Sequence, residues 1–201
     1  MEINSLNLIE ECPVWRNFRF GDPAALASIF NDHYDSLYFY GKKLVHDEDL
    51  VKDCLQNLFL KIWTRRENLK AIKYVRPYLM KSLRRHIGDQ VVTQKRNRSR
   101  EESVPNEFHI TFSHEDFLIA TQVSKEQSEA LAYSLNKLSA RQREAIFLKF
   151  YEEMDYLRIA DVMSLNVQSV RNLVHQSLKS IKDQMSAIHH SVFMHVRSGV
   201  A

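Results

Sequence analysis

Glycine and proline are scarce, four of each in 201 residues. With so few turn formers, turns should be few and helices long. There are two cysteines, Cys12 and Cys54, far apart in the chain. That is no disulfide framework, and they read as two reduced thiols in a reducing compartment. No apolar run approaches the roughly 20 residues needed to span a bilayer. The opening MEINSLNLIEE is acidic and lacks the basic start of a signal peptide. The chain is therefore expected to be soluble and cytoplasmic. Also missing are a nucleophile–His–carboxylate set, a phosphate-cradling glycine loop and a cluster of metal-ligand spacing, so no catalysis, cofactor or metal is expected. The tail holds His189, His190 and His195, but no carboxylate or cysteine stands at ligand spacing. A frayed tail is the better reading.

What is present is an uneven charge. The net charge is only +3, yet residues 65–100 hold twelve basic groups against Glu67 and Asp89. Residues 101–124 reverse this, with Glu101, Glu102, Glu107, Glu115 and Asp116 and neither Lys nor Arg. A basic block followed by an acidic one suggests a polyanion-binding surface, then a segment that avoids or imitates a polyanion.

Helical periodicity accounts for most of the rest. Asp22 and Pro23 suit the N-cap and first position of a helix of about six turns, whose core face carries Leu26, Ile29, Phe30, His33, Leu37, Tyr40, Gly41 and Leu44. A second helix starts at His46–Asp49, where carboxylates favour the positive helix end, and runs to about Arg65. Leu50, Cys54, Leu58 and Ile62 define one side, and Leu55, Phe59 and Trp63 lie beside it. This surface is wider than one core-facing stripe needs, so either the helix is unusually buried or part of it faces a partner. Glu67–Lys73 reads as a loop. Tyr74–Lys95 reads as a third helix, with Val75, Tyr78, Leu79, Leu83, Ile87 and Val91 inward and Arg76, Lys81, Arg84 and Arg85 outward. Like charges this close repel each other, which is more natural if phosphates neutralise them.

Residues 97–123 show no sustained period and read as a flexible acidic linker, with Phe108, Phe112 and Phe117 available to anchor it on a partner. Beyond it, Leu131, Leu135 and Leu138 form a stripe. Ser139 caps Ala140–Phe150, in which Arg141–Glu144 should be exposed and Ala145, Ile146, Leu148 and Phe150 buried. Asp155 caps Tyr156–Met163. Tyr156–His175 then fits a DNA-binding helix-turn-helix. Ile159 and Met163 are its buried face, Ala160 the small residue at the crossing, Leu165 the plug of the turn, and Val170 and Leu173 the inner face of the second helix. Asn166 stands at the N-cap of that helix, which should run from Val167 to about Met185 and lie in a major groove. The fold class is all-α, with two small helical domains: residues 1–96, a linker 97–123, a second domain 124–185 and a tail 186–201.

The order of these features resembles the extracytoplasmic-function sigma factors, a small two-domain group of bacterial RNA polymerase initiation factors. Asp53-Cys54-Leu55-Gln56-Asn57-Leu58-Phe59-Leu60-Lys61-Ile62-Trp63 is similar to the family's core-polymerase-binding helix. Tyr78–Asp89 is similar to its minus-ten reader, and Leu138–Glu144 to the opening of its second domain. The resemblance covers about residues 15–185. It implies that Asp53, Gln56, Asn57, Leu60 and Trp63 meet core polymerase. It implies that Arg76, Lys81, Arg84 and Arg85 meet phosphates of the melted minus-ten strand, with Asn68 and Lys73 in a loop, Thr64–Lys73, that holds a flipped base. Tyr74 and Tyr78 stay open between stacking on bases and core. Gln168, Ser169, Arg171, Asn172, His175 and Lys179 would face the minus-thirty-five duplex, and the linker would thread the polymerase's nucleic-acid channels. The partners implied are core RNA polymerase, promoter DNA and an anti-sigma factor, in many cases a membrane protein with a cytoplasmic segment. Three positions depart from the family: Arg85 where Asn is common, Asn57 where Glu is common, and Ser164 where the turn usually carries Gly. If Ser164 adopts positive φ, about 1 kcal/mol or more of strain is expected.

Two other classes compete. A helix-turn-helix regulator that never joins the polymerase would explain the C-terminal domain but leave the Asp53–Trp63 helix and the basic helix unused. A nucleic-acid enzyme with a metal on Asp47, Glu48, Asp49 and Asp53 is disfavoured, because an acidic first turn is ordinary helix chemistry.

Overall fold

Capping side chains set most helix boundaries. Asp22 accepts from the Ala24 N–H at 2.9 Å, and Asp47 from the Leu50 N–H at 2.9 Å. Asp155 accepts from the Arg158 N–H at 2.8 Å, and Asn166 from the Ser169 N–H at 2.7 Å. Each removes an orphan donor from a helix start. The computed structural model describes residues 10–98, 110–112 and 125–198. Those residues form eight α-helices and no strand: α1 Pro13–Arg19, α2 Pro23–Leu44, α3 Glu48–Thr64, α4 Val75–Arg98, α5 Lys125–Asn136, α6 Ala140–Phe150, α7 Tyr156–Met163 and α8 Val167–Ser198. A single 3₁₀ turn, Arg66–Asn68, follows α3. The chain divides into two units, Met1–Asn106 and Glu107–Ala201.

In the first unit α2, α3 and α4 pack on one another around Ile29, Leu37, Tyr40, Val51, Cys54, Leu55, Leu79, Leu83 and Ile87. The α2–α3 approach needs Gly41, where an added Cβ would lie 2.6 Å from Val51 Cγ1. Glu48 ties the start of α3 to the end of α2 through Lys42 at 2.6 Å and the Tyr38 hydroxyl at 2.9 Å. Helix α1 escapes the periodicity reading because seven residues give too little repeat. Its Trp15 and Phe18 are nonetheless fully buried.

Burial in this core pushes the Cys54 thiol from 9.0 up to about 11, with the Asp53 and then the Asp47 carboxylate adding to the rise. The unfolded thiol ionises first. The stabilisation is therefore complete below about pH 9 and is lost as pH rises toward 11. Cys54 is expected to react with a thiol-specific disulfide reagent at least tenfold more slowly than a thiol exposed in urea at pH 8. Equal rates in the folded and unfolded chain would reject this.

In the second unit a reciprocal capping box starts α6. The Gln142 N–H donates to Ser139 Oγ at 3.3 Å, and the Ser139 N–H to Gln142 Oε1 at 3.0 Å. Phe147, Leu148, Ile159, Val162 and Val170 fill the core. Two burial expectations are corrected. Phe150 is 53% exposed and Phe147 takes its place in the core, while Glu144 is only 2% exposed. At 100° per residue Phe147, rather than Phe150, lies on the face shared with Glu144 and Leu148. Residues 110–112 pack on this unit too. Ile110 and Phe112 are buried, and the Phe112 backbone is held at both ends by the Asn136 side-chain amide, its N–H donating to Oδ1 at 2.9 Å and its carbonyl accepting from Nδ2 at 2.8 Å. Phe112 thus packs within its own chain, against Tyr151 with ring centroids 5.7 Å apart. Phe108, Phe117 and the acidic groups of the linker lie outside the described residues, as do the side chains of His189, His190 and His195. The backbone of α8 continues to Ser198, beyond the Met185 expected.

Between α7 and α8, Ser164 sits in the left-handed region at φ 55°, ψ 46°. Its N–H donates to the Asp161 carbonyl at 3.3 Å, and the Leu165 N–H to the Ala160 carbonyl at 2.9 Å. That is a Schellman turn, the motif that normally takes glycine. Ser164→Gly is expected to stabilise this unit by about 0.5–1 kcal/mol, the relief of strain being partly offset by extra freedom in the unfolded chain. Ser164→Val should destabilise it by more than about 1 kcal/mol. Urea midpoints check both signs.

Candidate protein and nucleic-acid interfaces

Three surfaces gather the expected site residues. The first is one side of α3. Asp53, Gln56, Asn57 and Leu60 recur at three- and four-residue steps and are exposed, and Trp63 closes the row half-buried. The surplus apolar surface is only partly free, since Leu55 and Phe59 are buried within the unit. What reaches solvent is Leu60, 59% exposed, and Phe30 of α2, which is 41% exposed rather than on the core face as expected. Together with Pro23, Leu26, Phe59 and Trp63 they line an open apolar groove of about 460 Å³ between α2 and α3. Phe30 stacks toward Phe59 and Tyr34, each with centroids 4.9 Å away. The Arg66 guanidinium covers the Trp63 ring at 4.6 Å and donates to the Trp63 carbonyl at 3.0 Å. Trp63 is thus held rigid by its own chain, which lowers the entropy lost when a partner covers it.

The second surface is a polar cavity of about 360 Å³ where α3 and α4 diverge. Asn57, Lys61 and Arg65 descend one wall at four-residue steps, and Tyr78, Ser82, Arg85, His86 and Asp89 descend the other. Among its lining residues Asp89 is the only carboxylate. His86 Nε2 is buried and has no hydrogen-bond partner. Of the expected minus-ten residues, Arg85 lines this cavity and is exposed. Asn68 is exposed at the end of the 3₁₀ turn. Lys73 pairs with Glu10 at 2.9 Å. Arg76, Lys81 and Arg84 are half-buried. Tyr78 is half-buried against Trp15, edge to face at 5.1 Å, and burial raises its hydroxyl pKa. Tyr74 is exposed. Lys61, Arg65, Ser82 and His86 were not foreseen. Their signal is the four-residue polar stripe Asn57–Lys61–Arg65, which becomes a site only once it faces the matching stripe on α4.

The third surface is the outer face of α8. Gln168, Arg171, Asn172, His175 and Lys179 are exposed along it, while Val170, Val174, Ser177 and Ile181 turn inward. Ser169 is half-buried beside the cap. Gln168 Nε2 donates to Asn172 Oδ1 at 3.0 Å. The Arg171 guanidinium lies 5.7 Å from the centroid of Tyr156, whose ring also receives Lys149 at 4.9 Å. Ala160, 5% exposed, allows the helices of this unit to cross. Among the described residues no group of three or more His, Cys, Asp or Glu could hold a metal ion. No helix there is long and apolar enough to cross a membrane.

Residues 128–181 match the family model of sigma-70 region 4, covering most of α5, all of α6 and α7 and the first half of α8. The curated protein sequences contain no match to the chain. Among solved structures, the chain is similar to CnrH in complex with the cytosolic domain of CnrY, at a TM-score of 0.57 and 16% identity over 87% of this chain and 96% of that one. It is also similar to the sigma factor RpoE of Bartonella quintana in complex with the anti-sigma factor NepR, at a TM-score of 0.55 and 18% identity over 81% and 95%. Residues 128–181 therefore carry a region 4 match, and the chain shares the fold of these two solved structures.

Proposed function

We propose that the chain binds core RNA polymerase through the exposed side of α3 and directs it to promoters by two contacts: the minus-ten strand at the α3–α4 cavity and the minus-thirty-five duplex at α8. The observation that carries this is the region 4 match on a helix-turn-helix whose outer face is solvent-exposed and polar. Asp53, Gln56, Asn57, Leu60 and Trp63 supply a polymerase contact of one apolar centre with a polar flank, the usual anatomy of an interface. In the cavity, Lys61, Arg65 and Arg85 attract a phosphate, and a base of the strand enters beside Tyr78 and His86, with Asn68 exposed on the preceding turn. Arg76, Lys81, Arg84 and Lys73 add positive field around the strand. Gln168, Arg171, Asn172, His175 and Lys179 read the upstream duplex, and Ser169 donates to a phosphate.

The sigma-factor family is not enzymatic, and this chain needs no catalyst of its own. An anti-sigma factor is its expected partner, as in the solved complex of RpoE with the anti-sigma factor NepR. The chain acts in the cytoplasm, where core polymerase and promoters are. Mixing the full chain with purified core polymerase should give a stable complex that opens a cognate promoter. A chain that binds promoter duplex yet forms no complex with core polymerase would instead be a regulator that never joins it.

A further inference from the structure

Residues 69–74, between the 3₁₀ turn and α4, have no helical or strand hydrogen bonding of their own. Their backbone is held by α1 and the residues before it. Trp15 Nε1 donates to the Lys70 carbonyl at 3.0 Å, across 55 residues of sequence. The Cys12 N–H donates to the Ile72 carbonyl at 2.9 Å. The Glu10 carboxylate pairs with Lys73 at 2.9 Å. Farther along, a Cβ at Gly21 would sit 3.3 Å from Arg66 Nε, so the turn after α1 closes on the 3₁₀ turn that precedes the segment. Trp15 is fully buried, and its ring also meets Tyr78 edge to face at 5.1 Å. Tyr78 and Leu69 both line the α3–α4 cavity.

We propose that α1 is a brace that sets minus-ten discrimination, with Trp15 as its positioning residue. Carbonyls two residues apart in an extended segment point to the same side. Gripping those of Lys70 and Ile72 therefore fixes the course of the loop without touching any side chain that meets DNA. The ring of Trp15 fixes the opposite wall by backing Tyr78. With the loop at Leu69 and the Tyr78 end of the α4 wall both held by one short helix, the cavity keeps its shape there, and that shape decides which base it accepts. This rests on the minus-ten role of the cavity proposed above.

The test is transcription by the full chain with core polymerase over a panel of single-base changes in the minus-ten and minus-thirty-five elements. Trp15→Phe keeps a ring against Tyr78 but deletes the Nε1–H donor. Its discrimination among minus-ten bases should fall at least threefold, while discrimination at minus-thirty-five and affinity for core polymerase stay within twofold. A merely structural Trp15 would lower output on every promoter by the same factor and leave both profiles intact, and that result overturns the proposal. If Trp15→Phe proves unfolded by circular dichroism, Glu10→Gln carries the test. It keeps the size of an exposed side chain and removes the charge paired with Lys73, and the minus-ten profile alone should shift. An unchanged profile then rejects the brace. A wild-type chain that shows no minus-ten discrimination fails the promoter reading itself, whereas a discriminating wild type with unaltered variants fails only the brace.

Discussion

Leu60→Asp is expected to weaken binding to core polymerase by roughly 30-fold or more, with little change in the stability of the chain. Leu60 is 59% exposed, so its removal opens no cavity. At a protein interface the same side chain would be covered. Full burial of a leucine is worth about 1.5–3 kcal/mol, and an unpaired carboxylate in its place adds a desolvation cost. Trp63→Ala should lose a comparable amount, since buried aromatics dominate interface energetics. Its reading is less clean. The Trp63 ring packs 6.0 Å from Phe18 and under the Arg66 guanidinium, so truncation also disturbs the unit's own packing. The pair of variants separates the two effects. Thermal melting should show a loss for Trp63→Ala and almost none for Leu60→Asp, while titration of core polymerase shows weakened binding for both. Unchanged affinity in Leu60→Asp would remove the α2–α3 groove from the polymerase contact.

Why the row Asp53–Trp63 shows in the sequence, and the groove and the cavity only in part, has a physical cause. The docking row Asp53–Trp63 lies on one helix, so its spacing alone places it on one face. The reader in the C-terminal unit is equally local: a capped helix, a turn and a capped helix within Asp155–Lys179. Even the strain at Ser164 is foreseeable, because the turn geometry asks for a left-handed residue and the chain supplies a serine. The α3–α4 cavity is different. Lys61 and Arg65 belong to one helix, Ser82 and His86 to another, and neither stripe marks itself as a site without the packing of Leu58 and Ile62 against the other helix. Helix α1 is hidden for a related reason. Seven residues carry no usable period, and its value lies in two hydrogen bonds to carbonyls far along the chain, which no side-chain pattern encodes. The same holds for Ile110–Phe112, whose docking depends on the Asn136 amide copying the hydrogen bonds of a strand neighbour. Burial of Glu144 was missed because a charged run was taken as exposed as a block, when only some of its residues face out.

Arg171→Ala is expected to lower transcription from a cognate promoter by about 5- to 150-fold while leaving affinity for core polymerase unchanged. A bidentate base contact is worth roughly 1–3 kcal/mol of discrimination, which converts to that range. Arg171 lies in the first turns of α8, the part of a recognition helix that meets base edges, and its guanidinium leans on Tyr156 rather than on any carboxylate. An aromatic support of this kind orients the planar fork without neutralising it. Arg171→Lys discriminates between the two ways the side chain can act. If Arg171 meets a phosphate, lysine restores most of the output, and the slope of log affinity against log salt changes by about one unit only in the alanine variant. If it reads a guanine edge, lysine restores little, because the fork is lost although the charge remains. The loss should then be confined to promoters that carry the cognate base. A panel of minus-thirty-five variants distinguishes these outcomes, and full activity of Arg171→Ala on every promoter would reject Arg171 as a reader altogether. Tyr156→Leu offers the complementary test. It removes the support while keeping an apolar side chain, so it should reproduce part of the Arg171→Ala loss without altering core binding. Its effect should largely vanish in an Arg171→Ala background, because two residues acting through one contact are not additive.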